Sequence, residues 1–93
     1  MERNERRIAF AAIRYGDSIY TGPDHATIGQ RMIKEGICSP PYPHGDDQGF
    51  LTNDGLYVRR APALMIAIRS GQVKVGETIN SKELFSEDLK KEK

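Results

Sequence analysis

The stretch Gln48-Gly49-Phe50-Leu51-Thr52-Asn53-Asp54-Gly55-Leu56-Tyr57-Val58-Arg59-Arg60-Ala61-Pro62-Ala63 constrains the fold more than any other part of the chain. Asn53-Asp54-Gly55 lies between two apolar-leaning runs, and Gly55 can take a positive φ at no steric cost. The sequence therefore predicts a tight hairpin that folds residues 50–52 against 56–58. Pro62 then starts a helix, because its ring fixes φ near the helical value and its missing N–H costs nothing in the first turn. Two arginines, Arg59 and Arg60, are thus delivered to the mouth of a helix, where an anion is favourably held.

The N-terminal half offers a second unit of the same kind. Ile8-Ala9-Phe10-Ala11-Ala12-Ile13 is an apolar run closed by Tyr15-Gly16-Asp17-Ser18 and followed by Ile19-Tyr20-Thr21, which reads as a first hairpin. Its alanines would also suit a helix, but run length and turn chemistry favour a central strand. Thr21-x-x-Asp24 has the form of a helix start, Ile28, Met32 and Ile33 with Gly29 mark one helix face, and Gly36 stops it. Prolines and turn formers between Ile37 and Gln48 forbid regular ladders and predict an ordered or semi-ordered surface loop. After the second helix, Gly71 suits a C′ cap, Val73-Lys74-Val75 a short strand, and Asn80-Ser81-Lys82-Glu83 the opening of a short helical or docking segment carrying Leu84, Phe85 and Leu89. The expected fold is α+β: one domain over 1–93, a small antiparallel sheet of two hairpins packed with two main helices and a short C-terminal segment. Fraying is expected at about 1–5 and 90–93.

A 93-residue monomer buries roughly two thirds of the surface its unfolded chain exposes. The second helix has no charged residue before Arg69, so it lacks the polar face of a helix lying on a monomer surface. A homo-oligomer, dimer or higher, is the expectation; cover from the N-terminal sheet and loops within one subunit is the alternative. Fourteen basic and thirteen acidic residues are too balanced for gripping a nucleic-acid polymer by its phosphates. Arginine-rich local sites for small anions remain open. The single cysteine, Cys38, excludes an internal disulfide and fits a reducing compartment. No apolar run reaches the length of a membrane span and the charged start is unlike a signal peptide, so a soluble cytoplasmic protein without a membrane partner is expected.

Candidate chemistry gathers on few residues. His25 opens the first helix and could donate a hydrogen bond to a phosphate or sugar; the competing reading is a solvent-facing first-turn residue. His44, Asp46 and Asp47 are metal-binding types, but neighbouring aspartates in a Pro-rich loop make no preorganised shell, and no metal or cofactor is expected. Cys38 lacks a CxxC partner and a motif histidine, so it makes a poor nucleophile. Arg59 and Arg60 point to opposite sides of a strand, so one can bind ligand while the other pairs with an acidic side chain. Phe50 and Tyr57 on the same hairpin would supply a stacking platform for a nucleobase, although each alone reads more simply as core. Arg69 completes the ligand-binding candidates, and none of them is catalytic.

Further residues carry a resemblance. Ala11-Ala12-Ile13, Ile19-Tyr20-Thr21, His25-x-x-Ile28, Gln48-Gly49-Phe50-Leu51-Thr52, Gly55-x-Tyr57-Val58-x-Arg60-x-x-Ala63, Ala67, Gly71-Gln72 and Leu84-x-Ser86-Glu87-Asp88-Leu89 run through nearly the whole chain. In order and spacing they resemble a family of small bacteriophage proteins that includes the Thoeris anti-defence sponges, which sequester cyclic ADP-ribose signals. Related sponges hold the cyclic oligonucleotides of CBASS defence. The resemblance implies a homo-oligomer that binds a cyclic nucleotide or cyclic ADP-ribose-type messenger without cleaving it, in pockets shared between subunits, with Phe50, Arg59 and Arg60 as stacking and phosphate contacts. The chain departs from the family pattern at Leu56, often basic there, at Arg59, often acidic or amide, and at Lys90, commonly aromatic. The extra arginine implies a more phosphate-rich ligand, such as a cyclic dinucleotide.

A sponge needs affinity and no transition-state complementarity, so it can do without nucleophile, general base or metal. Arginines beside aromatic surfaces in a site shielded from water suit a compact dianion. Two other readings stand behind this one: a phage adaptor or inhibitor acting by protein contact through the Pro-rich loop, and an enzyme using His25 to cleave a nucleotide.

Overall fold

The computed structural model describes residues 6–89; the ends expected to fray lie outside the described residues. Two hairpins form a four-stranded antiparallel sheet, β1 (Ile8–Tyr15), β2 (Ser18–Gly22), β3 (Gln48–Thr52) and β4 (Tyr57–Arg59), in the spatial order β2-β1-β3-β4. Each hairpin feeds a ten-residue helix, α1 (His25–Lys34) and α2 (Arg60–Arg69), and a single helical turn, α3 (Ser86–Leu89), is the last element of the described residues. This is the small α+β architecture expected from the sequence.

The turns form as their chemistry dictates. Gly16 (φ 62°) joins β1 to β2 and Gly55 (φ 88°) joins β3 to β4. In the second turn Thr52 Oγ1 donates to Asp54 Oδ1 at 2.5 Å and accepts from the Leu56 N–H at 2.9 Å. Arg6 adds an ion pair to Asp54 at 2.9 Å, and the Thr52 hydroxyl, then Arg6, hold the Asp54 carboxyl below its ordinary range.

Side chains alternate across the sheet. Ala11, Ile13, Phe50 and Val58 point to one face and meet Ile28 and Met32 of α1, Ala63, Leu64 and Ala67 of α2, and Leu84. Both helices therefore cover the same face, and the core lies between the two layers. On the other face Ala12 and Gly49 are neighbours, and the Tyr57 ring lies against Gly49, where an added Cβ would come within 2.8 Å of it. The Arg14 guanidinium sits 5.0 Å above that ring.

Two local expectations need correction. Thr21 does not cap α1; it belongs to β2, paired with Ala12, and Asp24 is the cap, accepting the Thr27 N–H at 2.7 Å. A capping side chain must sit one residue before the first helical turn, and strand pairing holds Thr21 too early for that. Val73-Lys74-Val75 is not a strand either. Val73 stays on the end of α2, its N–H directed at the Ala67 carbonyl, while Gln72 occupies the sheet edge in its place by bonding both the N–H and the C=O of Ile8 at 2.9 Å. The Pro-rich loop is ordered. The Tyr42 ring packs so closely on Gly29 that a Cβ there would lie 2.2 Å from it, and His44 stacks on Tyr42 at 4.9 Å.

Candidate anion-binding site

Helix α2 begins where β4 ends. Arg59 occupies its cap position in an extended conformation (φ −79°, ψ 175°) and contributes no side-chain hydrogen bond to the helix. Arg60 and Ala61 open the first turn, and Pro62 follows with no N–H of its own. Backbone donors at a helix start carry the positive end of the helix dipole, and here no capping side chain quenches them. A cavity of about 240 Å³ opens at this point, lined by Asp46, Gln48, Arg59, Arg60, Pro62 and Glu83 among others.

Arg60 is held on every side. Its guanidinium lies 4.7 Å above the Phe85 ring, Nη2 donates to Gln48 Oε1 at 2.8 Å, and Nη2 approaches His25 Nδ1 at 3.4 Å. Its Nε–H is buried with no hydrogen-bond partner. Its backbone carbonyl accepts the Leu84 N–H at 3.0 Å, which ties the C-terminal segment to the helix mouth. Gln48 passes the chain of bonds on, since its Nε2 donates to the Pro43 carbonyl at 2.9 Å and so fastens the Pro-rich loop. Phe85 is itself fixed through Asp88, whose buried carboxylate accepts the N–H groups of Ile79 (2.9 Å) and Phe85 (3.0 Å).

His25 supports Arg60 from behind. The Gly49 carbonyl only accepts, so the 2.7 Å contact to it makes Nε2 the donor and leaves Nδ1 as the lone pair facing Arg60. Burial lowers the affinity of the ring for a second proton and Arg60 lowers it further, against an opposing effect of the Gly49 bond, so its pKa falls below the usual 6.5. A neutral imidazole is what Arg60 requires as a neighbour.

Arg59 behaves differently. It reaches outward to Asp46, Nη1 to Oδ2 at 3.1 Å, with both side chains largely exposed. An exposed pair of this kind is worth at most about 1 kcal/mol, so Arg59 can exchange the carboxylate for another anion at little cost. Tyr57 is one shell away: its hydroxyl donates to the Asp46 carbonyl at 3.1 Å and holds the cavity wall, and burial raises its pKa above 10.0.

Of the six residues singled out in the sequence, Arg59 and Arg60 line the cavity, His25 and Tyr57 buttress it, and two stand apart. Phe50 is 0% exposed, its ring edge-on to His25 at 5.2 Å, so it packs the core and offers no face to a ligand within one protomer. Arg69 sits at the far end of α2, about 14 Å along the axis from Arg60. Gln48, Phe85 and Glu83 were not legible as site residues, because only the tertiary fold brings three distant segments to one helix end. Among the described residues no group of three or more His, Cys, Asp or Glu side chains is placed to hold a metal ion. Nor is any helix among them long and apolar enough to cross a membrane. A larger hollow of about 400 Å³ beside Phe10, Pro23 and Leu89 has no charged side chain in its wall and gives an anion no counter-charge.

A family model described as Phage T4 y16D protein matches residues 7–89, which span every element of the fold. The chain belongs to this phage family. No curated protein and no solved structure matches it. Within this y16D-family chain the matched span contains the whole wall of the α2 cavity, from Gly45 to Glu83.

Proposed function

We propose that this phage protein is a non-catalytic binding protein that sequesters a phosphate-bearing cyclic nucleotide messenger, and so shields the phage from a bacterial defence signal. The observation that carries this reading is the mouth of α2: an uncapped helix start, a buried Arg60 Nε–H without partner, and an exposed Arg59 whose present partner is easily displaced. The helix start and Arg59 supply donors for negative charge, and Arg60 adds a buried N–H that no protein group satisfies. The family resemblance supports the finer choice of ligand, a cyclic dinucleotide or a cyclic ADP-ribose isomer, and a host-cytoplasmic setting. At about 240 Å³ the cavity is smaller than the roughly 300–1,000 Å³ typical of a small-molecule pocket. One protomer then holds a phosphate-bearing end, and a second subunit encloses the remainder.

The imidazole of His25 is committed to Gly49 and Arg60 and is buried, which favours binding over a His25-dependent cleavage. Thermal-shift screening against cyclic dinucleotides and cyclic ADP-ribose isomers tests the proposal, because a ligand that binds only the folded state raises Tm by mass action. A binding protein releases the same molecule unchanged after heat denaturation. A flat response across the panel overturns the proposal, as does recovery of cleaved product alone.

A further inference from the structure

Strand β1 is longer than the neighbour it pairs with on its outer side. The ladder with β2 ends where Ala11 faces Gly22, and Pro23, which has no N–H to offer, carries the chain off toward α1. Residues 8–10 continue past that point with β3 on one side and, among the described residues, no strand on the other. A side chain stands in the vacant place. Gln72 Oε1 accepts the Ile8 N–H and Gln72 Nε2 donates to the Ile8 carbonyl, both at 2.9 Å, and Ser70 Oγ donates to the same Oε1 at 2.9 Å.

Two bonds exchanged with one residue, donor to acceptor and acceptor to donor, are what a residue of an antiparallel strand makes with its opposite number. The Gln72 amide therefore copies a peptide strand at Ile8. It is also exposed and hangs on rotatable torsions, so it can leave without disturbing any backbone pairing. The hollow of about 400 Å³ opens against this same edge, with Phe10, Pro23 and Leu89 in its wall and no charged side chain. Ala9 and Phe10 are exposed beside it, Phe10 by 50%.

We infer that the edge of β1 at residues 8–10 is a docking site for an extended, uncharged segment of another protein, which continues the sheet where β2 stops, displaces the Gln72 amide from Ile8 and lays an apolar side chain in the hollow. The bonds at Ile8 ask for a donor and an acceptor at amide spacing, which an apolar small molecule lacks. The uncharged wall asks for an apolar group beside them, and a strand supplies one at every second residue. The chain's own ends, Met1-Glu2-Arg3-Asn4-Glu5 and Lys90-Lys91-Glu92-Lys93, are charged and do not match such a wall. The hollow shares no wall residue with the α2 cavity, so the inference stands apart from the anion-binding reading.

Panning a library of random dodecapeptides against the full chain supplies the probes, and the enriched peptides are titrated into the isotope-labelled protein and followed by NMR. They are expected to share uncharged apolar residues at alternate positions and to shift the Ile8, Phe10 and Ala11 amides together with the Gln72 side-chain amide. Phe10→Lys, which sets a charge in the wall, weakens them about tenfold or more. Gln72→Ala, which removes the competitor at Ile8, tightens them about fivefold or more. Both side chains are exposed, and circular dichroism verifies the fold of each variant. A library that enriches no peptide, peptides whose shifts lie elsewhere, or affinity indifferent to either substitution overturns the inference. So does sedimentation equilibrium showing a wild-type dimer that Phe10→Lys dissociates, because that assigns the edge to a second copy.

Discussion

The two halves of the molecule repeat one plan, hairpin then helix, and end it in opposite ways. Helix α1 is sealed at its start: Asp24 caps it, and His25 turns inward to bond Gly49. Helix α2 begins without a side-chain cap and opens on a cavity flanked by Arg59 and Arg60. The first start is closed by the fold's own side chains, and the second is the one the proposed ligand would occupy. His25 links the two, because its outer nitrogen faces Arg60 and its ring meets Phe50 between the layers. A local repeat of secondary structure thus ends in two different ways, separated by whether a side chain caps the helix start.

The comparison can be broken most severely at the core ring that His25 packs against. Phe50→Ala should lower stability by about 3–5 kcal/mol in chemical denaturation, the cost of an emptied core site. A change below about 1 kcal/mol would show that Phe50 is not core and would return it to the surface stacking role. Asp24→Ala should cost about 1 kcal/mol through loss of the α1 cap. Arg59→Ala, at the equivalent position of α2, should cost about 0.5 kcal/mol or less, since it caps nothing and its ion pair is exposed. Equal losses from the two substitutions would erase the distinction between the helix starts.

A smaller effect is set by pH. His25 binds a proton less readily when folded than its unfolded value of 6.5 allows, with burial as the main cause. Above pH 6.5 both states are neutral and its stabilising contribution is complete. As pH falls below 6.5 the unfolded chain gains a proton that the folded chain refuses, and stability declines toward the lower folded pKa. Denaturation midpoints measured between pH 8 and 5 should fall for the wild type, and His25→Gln should flatten the part of that slope due to His25. An unchanged slope in the variant would remove His25 from the account.

Much of the architecture was written locally. Gly16-Asp17 and Asn53-Asp54-Gly55 specify turns by φ, Pro62 and Gly71 punctuate α2, and the alternation around Phe50 fixes which face is buried. Arg59 and Arg60 were legible as site residues because the hairpin signal and Pro62 bracket them. Gln48 and Phe85 were not, since their contact with Arg60 depends on how β3 and the C-terminal segment meet in space, and no spacing in the chain encodes that. Thr21 misled because a good capping residue was already committed to a strand. Val73-Lys74-Val75 misled because Gln72, a single side chain, takes over the backbone bonds at the sheet edge.

The central claim is that the start of α2, and not that of α1, holds a phosphate group. Amide chemical shifts followed by NMR during titration with pyrophosphate test it most directly, since each helix start reports on itself. The account predicts saturable shifts at the Arg60 and Ala61 amides and the Arg60 Nε–H, little movement at Ala26 and Thr27, and loss of the response in Arg59→Ala. Shifts confined to the α1 amides, or no saturable shift at Arg60 and Ala61, would contradict it.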